Sequence, residues 1–440
     1  MRALPLAPLP LLGRGPVHPW LHADAEGVVV GRLTDAGEVQ LVTSARETWN
    51  PAEAKAALAF APRPYADLAG RWPDADVEAW LLGAETPTFA EVLALLMHTL
   101  ERVMEFPRPA HRALLATWAL GTYFHPAFLA FPRLSLSGER GCGKSKALGV
   151  LRETAWHGLL MLSPTPAVLF RLVHEFRATL LLDEVEGLAR EDAREVVAIV
   201  NAGYKAGATV PRCEGKDQKR VEPFSVYAPL ALAAIRAPNP TTEDRCIPVV
   251  MQRGTDPSRV NAEVDPAAPL FGRIRAGCYR LLLTRWREVQ SACQAVPLPD
   301  WLQARARELW KPLLAVASLA DQDGLDVTPD LLSLAREHVE DRVEVSAEGE
   351  ALLAELADQL GTLASITVRP GELAEPLRRR LGWRDAPTAA QVGAWLRRFG
   401  FRRRGKDREG ARYEVTADHL REVTGRFTPG GDRHTVTVTG

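Results

Sequence analysis

Cysteine is scarce in this chain. Its five thiols, Cys142, Cys213, Cys246, Cys278 and Cys293, lie far apart with no CxxC pair. That argues against a disulfide framework or a zinc site and predicts reduced thiols in the cytoplasm. Net charge is nearly absent too: 54 Lys and Arg stand against 55 Asp and Glu. The whole molecule therefore exerts no pull on nucleic acid, and any such binding must come from a local basic cluster. The apolar stretch from Leu114 to Phe131 is interrupted by His125 and Pro126, so no transmembrane span is expected. Prolines break the apolar opening MRALPLAPLPLLG and no convincing cleavage site follows, so no secretory leader is expected either. His98, His111 and His125 share no helical face and no adjacent carboxylate pattern, which argues against a histidine metal site.

What the chain does have is mass and a motif. Its 440 residues, 46% hydrophobic and 25% charged, suit a globular protein of about three domains. The stretch Arg133 to Lys146, RLSLSGERGCGKSK, reads as a buried strand, a glycine-rich turn and a helix start. Gly138, Gly143, Lys144 and Ser145 fit GxxxxGKS/T, the spacing of a phosphate-binding loop. Glycines let backbone N–H groups converge on phosphate oxygens that a Cβ would hold away. The loop Gly138, Glu139, Arg140, Gly141, Cys142, Gly143, Lys144, Ser145 and Lys146 is thus a candidate nucleotide site. Lys144 is expected on the β- and γ-phosphates of ATP, Ser145 on Mg²⁺, and the helix dipole on the same anion.

Upstream, Val28 to Leu33 and Glu38 to Thr43 read as a hairpin around Asp35-Ala36-Gly37. Thr88 and Glu91 form a capping box for a helix with Val92, Leu95, Leu96, Thr99 and Val103 on one side. Downstream, the apolar run Thr179 to Leu182 ends in Asp183 and Glu184. A buried strand of this kind delivers Asp183 to the Mg²⁺ shell and Glu184 to an attacking water. Thr209 to Cys213 and Arg220 to Val226 read as two β-arms around a basic tip at Lys216 and Lys219. Leu230 to Ile235 is a further strand, followed by Arg236, Asn239 and then Arg245 just before another β-run. The interval Pro266 to Val345 reads as helical, with Trp286, Trp301 and Trp310 as core anchors.

A last module begins near Glu350. Thr388 and Gln391 cap a helix carrying Val392, Trp395, Leu396 and Phe399 on one side and Arg397 and Arg398 on the other. FRRRGKDREGARYEV then reads as two strands around a polar turn. Helix, helix and basic β-wing form a winged-helix pattern. Arg378, Arg379, Arg380, Arg384, Arg402, Arg403, Arg404, Lys406, Arg408 and Arg412 are set against Asp385, Asp407 and Glu409. This concentration of charge on one module of a neutral chain points to nucleic acid.

The segments ALLATWALGTYFHPAFLAFPRLSLSGERGCGKSKAL, TLLLDEVEGL, NAGYKAGATVPRC, FSVYAPLALAAI, EDRCIPVVMQR and ARELWKPLLAVASLA follow in order. Through them the chain resembles a family of P-loop ATPases from phages, plasmids and integrated elements, often found beside primase-polymerases. The resemblance implies an α/β P-loop AAA+ core like that of superfamily-three and minichromosome-maintenance helicases, with a helical lid. The small N-terminal α+β region and the winged-helix domain flank it. The expected divisions are 1–85, the core with its leading helices at 86–255, the lid at 256–346, the winged helix at 347–427 and a tail at 428–440. The resemblance also implies Arg245 as a finger acting on a neighbouring subunit and Arg305 as a second sensor. Those helicases usually carry an asparagine after the fourth strand, where this chain has Ile235-Arg236, so Arg236 and Asn239 are the first-sensor candidates. Lys216, Lys219 and Arg220, with Arg397, Arg398, Arg402, Arg403, Arg404 and Lys406, are the candidate DNA contacts. The expected activity is that of an ATP-driven hexameric helicase or translocase on single-stranded and forked DNA, with a primase-polymerase as a further partner and no membrane. The rival is an initiator or loader that uses ATP as a switch without unwinding; a small-molecule kinase is a third reading, weakened by the finger candidate and the arginine-rich module.

Overall fold

The computed structural model describes residues 16–185, 194–214, 220–235, 240–343, 347–407 and 410–427. The chain divides into two compact units, Met1–Arg336 and Glu337–Gly440, so the division falls inside the helix Thr328–Val343. Among the described residues no helix is long and apolar enough to cross a membrane.

The first unit opens with an antiparallel meander of β1 (Leu21–Ala23), β2 (Val28–Leu33), β3 (Val39–Thr43) and β4 (Thr48–Trp49). The expected hairpin is its centre, and Gly37 makes the turn at φ 82°. The buried Arg71 ties this region to the core, donating to the carbonyls of Arg152 at 2.5 Å and Gly158 at 2.6 Å. Arg152 lies in the last turn of the helix Lys144–Thr154, where a cation meets the negative end of the dipole.

The core sheet has five parallel strands: β5 (Arg133–Ser137), β6 (Gly158–Leu162), β7 (Thr179–Asp183), β10 (Leu230–Ala234) and β11 (Cys246–Val250). Their order across the sheet is β11, β5, β10, β7, β6. Between β7 and β10 in sequence, β8 (Thr209–Glu214) and β9 (Arg220–Ser225) pair as a separate hairpin. The central runs LSL, LLL and LALAA are apolar without alternation because both faces of a parallel sheet are covered, and every residue of β10 is buried. The helix Lys144–Thr154 packs on β6, β7 and β10.

The leading helices Phe89–Val103 and Pro109–Gly121 pack with Pro269–Ala295 and Ala304–Gln322. The helices expected as a lid therefore share a layer with the leading helices, and Trp286 and Trp310 are buried there. Trp301 is only half-buried, under the Arg336 guanidinium at 4.7 Å. The capping box forms, with the Glu91 amide donating to Thr88 Oγ1 at 3.1 Å and the Thr88 amide to Glu91 Oε2 at 2.8 Å. The buried face of that helix is Phe89, Val92, Leu93, Leu96, Thr99 and Leu100. Leu93 and Leu100 belong to it, whereas Leu95 and Val103 lie at its margin.

In the second unit, β12 (Ser365–Val368), β13 (Arg402–Asp407) and β14 (Gly410–Thr416) form an antiparallel sheet in the order β12, β14, β13. Leu352, Leu356, Leu373, Leu377, Val392 and Leu396 from its helices share a core with Tyr413 and Val415 of β14.

Buried histidines make the first unit sensitive to acid. His125 Nδ1 meets the Thr122 carbonyl at 2.9 Å and His157 Nδ1 meets that of Phe176 at 2.9 Å, so each ring donates there as a neutral imidazole. Burial pushes both imidazoles down to about 3. The folded values lie below the ordinary 6.5, so this stability is complete above pH 6.5 and is lost as pH falls toward 3. Each ring contributes a slope of about 1.4 kcal/mol per pH unit below roughly pH 6. Denaturant unfolding at pH 7.5, 6.0 and 5.0 is expected to show the decline before most carboxylates titrate; a flat profile contradicts it.

Candidate functional site

The loop after β5 has the backbone its glycines predict: φ is 147° at Gly138, 76° at Gly141 and 91° at Gly143. A Cβ on Gly138 would stand 2.3 Å from the Met251 carbonyl oxygen, so no other residue fits there. Gly143 is the N-cap of the helix Lys144–Thr154, and the first N–H groups of a helix have no intrahelical partner. The Lys144 ammonium lies against the loop, donating to the carbonyls of Gly138 at 2.7 Å and Glu139 at 3.1 Å. Ser145 is in the first helical turn behind it. This cradle of freed amides, glycine backbone and one ammonium fits the phosphates of a nucleotide.

A cavity of about 290 Å³ opens beside the loop, walled by Val103, Met104, Glu105, Gly254 and Val260 together with Gly141 to Lys146. Glu105 accepts from the amides of Asp256 at 3.0 Å and Thr255 at 2.6 Å, which hold its carboxyl below the usual range. Lys146 donates to the carbonyls of Arg259 at 3.1 Å and Val260 at 2.8 Å. It braces this wall, on the cavity that Lys144 also lines. Sequence reasoning does not find Val103, Met104, Glu105, Gly254 and Val260; they carry no local motif, and only the fold gathers them.

Asp183 ends β7, and Glu184 follows it with φ 53°, a left-handed backbone that is costly for a side-chain-bearing residue. The Glu184 amide donates to Asp183 Oδ1 at 3.0 Å. β10 separates this strand from β5: Leu232 pairs with Leu182 on one side, and Ala234 with Ser137 on the other. Asp183 therefore stands one step short of the level of Ser137. Two interstrand spacings put it about 10 Å across the sheet from β5. That separation leaves room for phosphates and a cation between loop and acids, with Ser145 and Asp183 as the metal-ligand candidates. Arg236 and Asn239, the sensor candidates, lie outside the described residues.

Arg245 lies at the other end of the sheet. It precedes β11, whose Cys246 pairs with Arg133 at the start of β5, whereas the loop follows Ser137 at the end of β5. Four strand residues put about 13 Å between those levels. Arg245 donates to the Thr241 carbonyl, and its Cζ stands 5.4 Å from the Tyr204 ring centroid. Arg305 stands 4.8 Å from the same centroid. It donates to the Tyr204 hydroxyl, to Asp244 Oδ2 at 3.1 Å and to Glu308 Oε2 at 2.5 Å. The expected second sensor is thus beside the finger candidate and away from its own phosphate loop.

The arrangement is an α/β P-loop fold. No family model matches the chain, and no curated protein matches it. Among solved structures it is similar to the SCCmec type IV Cch active helicase, with 11% identity over 93% of this chain and 80% of that one at a TM-score of 0.44. It is also similar to the NrS-1 C-terminal region, with 13% identity over 76% of each chain at a TM-score of 0.33. A third is Cdc6p from Pyrobaculum aerophilum, with 13% identity over 73% of this chain and 93% of that one at a TM-score of 0.23. Likeness at this level decides nothing about the site, whose reading rests on its own residues.

The candidate nucleic-acid contacts are scattered in kind. Lys216 and Lys219 lie outside the described residues. Arg220, at the base of β9, is exposed and pairs with Glu222 at 2.8 Å. In the second unit the arginines meet more acid than a count along the local sequence allows. Arg378 pairs with Glu375 at 2.7 Å and pushes that carboxyl down to about 2. Arg380 pairs with Glu355 at 2.8 Å, Arg404 with Glu414 at 2.6 Å and Arg412 with Asp407 at 3.6 Å. Arg397 donates to the Tyr413 hydroxyl at 2.8 Å. Arg398, Arg402 and Arg403 are exposed and have no ion pair among the described residues. Lys406 lies in β13.

Proposed function

We propose that the chain is an ATP-driven, ring-forming DNA helicase or translocase that serves replication of a mobile genetic element. One observation carries the reading. The phosphate loop and the acid pair stand at one end of the parallel sheet, and Arg245 stands at the other. A hydrolytic site with its finger on the far side is completed only by a second copy, and a head-to-tail contact of that kind closes into a ring. A hexamer suits the superfamily-three resemblance.

In this reading Lys144 holds the β- and γ-phosphates, and Glu184 orients a water and takes its proton. Arg245 from the neighbouring copy stabilises the charge of phosphoryl transfer. Mg²⁺ held by Ser145 and Asp183 would neutralise charge on the same phosphates. Arg236 or Asn239 senses the γ-phosphate, and Lys216 and Lys219 at the hairpin tip hold successive phosphates of a single strand in the channel. The core is of the AAA+ type at 86–255, with a lid at 256–346, a region of unassigned role at 1–85 and a tail at 428–440. A winged helix at 347–427 binds DNA, and a primase-polymerase is the further partner.

Arg398, Arg402 and Arg403 carry a measurable part of this. Replacing Arg398, Arg402 and Arg403 by alanine is expected to weaken duplex binding. It should also flatten the slope of log affinity against log salt by about 0.9 for each DNA phosphate that is no longer neutralised. Adding Arg404→Ala, whose charge Glu414 already meets, is expected to change the slope little. An unchanged slope in the triple variant returns these side chains to an ordinary solvated surface.

The whole reading is tested by fork unwinding beside electron microscopy of particles formed with ATP and single-stranded DNA. Unwinding by rings, abolished in the Lys216→Ala, Lys219→Ala double variant while DNA-free ATP hydrolysis continues, supports it. ATP-dependent assembly on DNA without unwinding supports the initiator or loader instead.

A further inference from the structure

The geometry points to Tyr204 as a positioning residue that orients Arg245 toward the phosphates of the neighbouring copy, with Arg305 packed against the same ring. The inference rests on the intersubunit reading above and adds a residue to it. Tyr204 is 5% exposed, and its carbonyl is fixed by the Phe131 amide at 3.0 Å. Its ring lies within cation–π range of both guanidiniums, at 5.4 Å for Arg245 and 4.8 Å for Arg305. The Tyr204 hydroxyl accepts from Arg305 as well.

The two arginines depend on the ring unequally. Arg305 is also held by Asp244 and Glu308, so it keeps its place without help. Arg245 has the Thr241 carbonyl as its side-chain acceptor, and its buried Nε has none among the described residues. The Tyr204 face is therefore the main surface that orients Arg245. Both sides of this contact are gripped by one helix end. Tyr204 follows the helix Arg194–Ala202, and Asn201 of that helix accepts from the hydroxyl of Thr242, three residues before Arg245. An aromatic side chain and the segment that carries the finger thus share one anchor.

Tyr204→Leu and Tyr204→Met remove the π face, and Tyr204→Phe keeps it. In the full chain, Leu and Met are expected to lower kcat for ATP by about tenfold or more, with KM changed less than about twofold and assembly retained, while Phe stays within about threefold of the parent. In the Arg245→Ala background, Tyr204→Leu is expected to add no further loss, because the ring acts through that arginine. Wild-type kcat in Leu and Met, a Phe variant as impaired as Leu, or additive loss with Arg245→Ala would each overturn the inference. Failure of all three variants to assemble would overturn it too, by making Tyr204 a structural residue. Arg245→Ala assayed alone separates the two levels: full activity removes the intersubunit reading itself. An inactive Arg245→Ala beside an active Tyr204→Leu removes only the positioning role.

Discussion

Lys144→Ala is expected to abolish ATP binding or turnover, whereas Glu184→Gln is expected to bind ATP and stall. The two outcomes should differ because, in the proposed reaction, the two side chains meet different groups. The Lys144 ammonium sits inside the glycine loop, 2.7 Å from the Gly138 carbonyl. Lys146, two residues on, is committed to the carbonyls of Arg259 and Val260 and does not replace it. Glu184 stands across β10 at the end of β7, so its removal leaves the phosphate cradle intact. Loss of a general base costs on the order of a hundredfold to ten-thousandfold in rate. ATP affinity and steady-state hydrolysis measured for both variants check this. Near-wild-type turnover in Glu184→Gln would remove that carboxylate from the mechanism.

Arg245→Ala is expected to lose hydrolysis on its own and to regain part of it when mixed with Lys144→Ala. Each variant would lack one half of the proposed composite site. At a mixed interface an Arg245→Ala copy supplies the phosphate loop and a Lys144→Ala copy supplies the arginine. A finger of this type is worth about a thousandfold or more in phosphoryl transfer, so even a fraction of repaired interfaces stands well above background. The position of Arg245 beside Arg133 at the start of β5 gives the expectation its geometry. Full activity of Arg245→Ala alone ends it, as does a mixture no more active than its parts.

The parts of this molecule that are legible in sequence are those written contiguously. Three glycines, a lysine and a serine spell the loop because phosphate contact is made by backbone and immediate neighbours. Asp183 and Glu184 show because an apolar run without alternation ends in two acids. The short strands β1, β4 and β12 hold two to four residues each, too few to display a period of two, and sequence pattern does not reveal them. The cavity wall is also illegible. Met104 ends one helix and Val260 another, and their meeting beside the loop is a product of the sheet and helix packing alone. Tyr204 stands in sequence only as one letter of NAGYKAGATVPRC, and its place between two arginines depends on three separate segments. The arginine tally fails for a related reason. Counting charges along Arg378 to Arg412 leaves out Glu355, which sits on a different helix, and Glu375, one turn upstream. Solvated arginines and ion-paired arginines look alike until neighbours in space are known, and each neighbouring carboxylate lowers the net charge that the module offers a polyanion.

In the proposed assembly the hydrolytic site is shared between copies. ATP turnover per chain, measured from dilute single chains up to concentrations at which particles form, tests it most directly when the particle mass is followed in the same samples. Turnover per chain is expected to be near background for single chains and to rise steeply as they assemble, in step with the mass. A turnover per chain that stays constant from the dilute chain to the assembled particle would mean that each copy hydrolyses ATP alone, and would contradict the account.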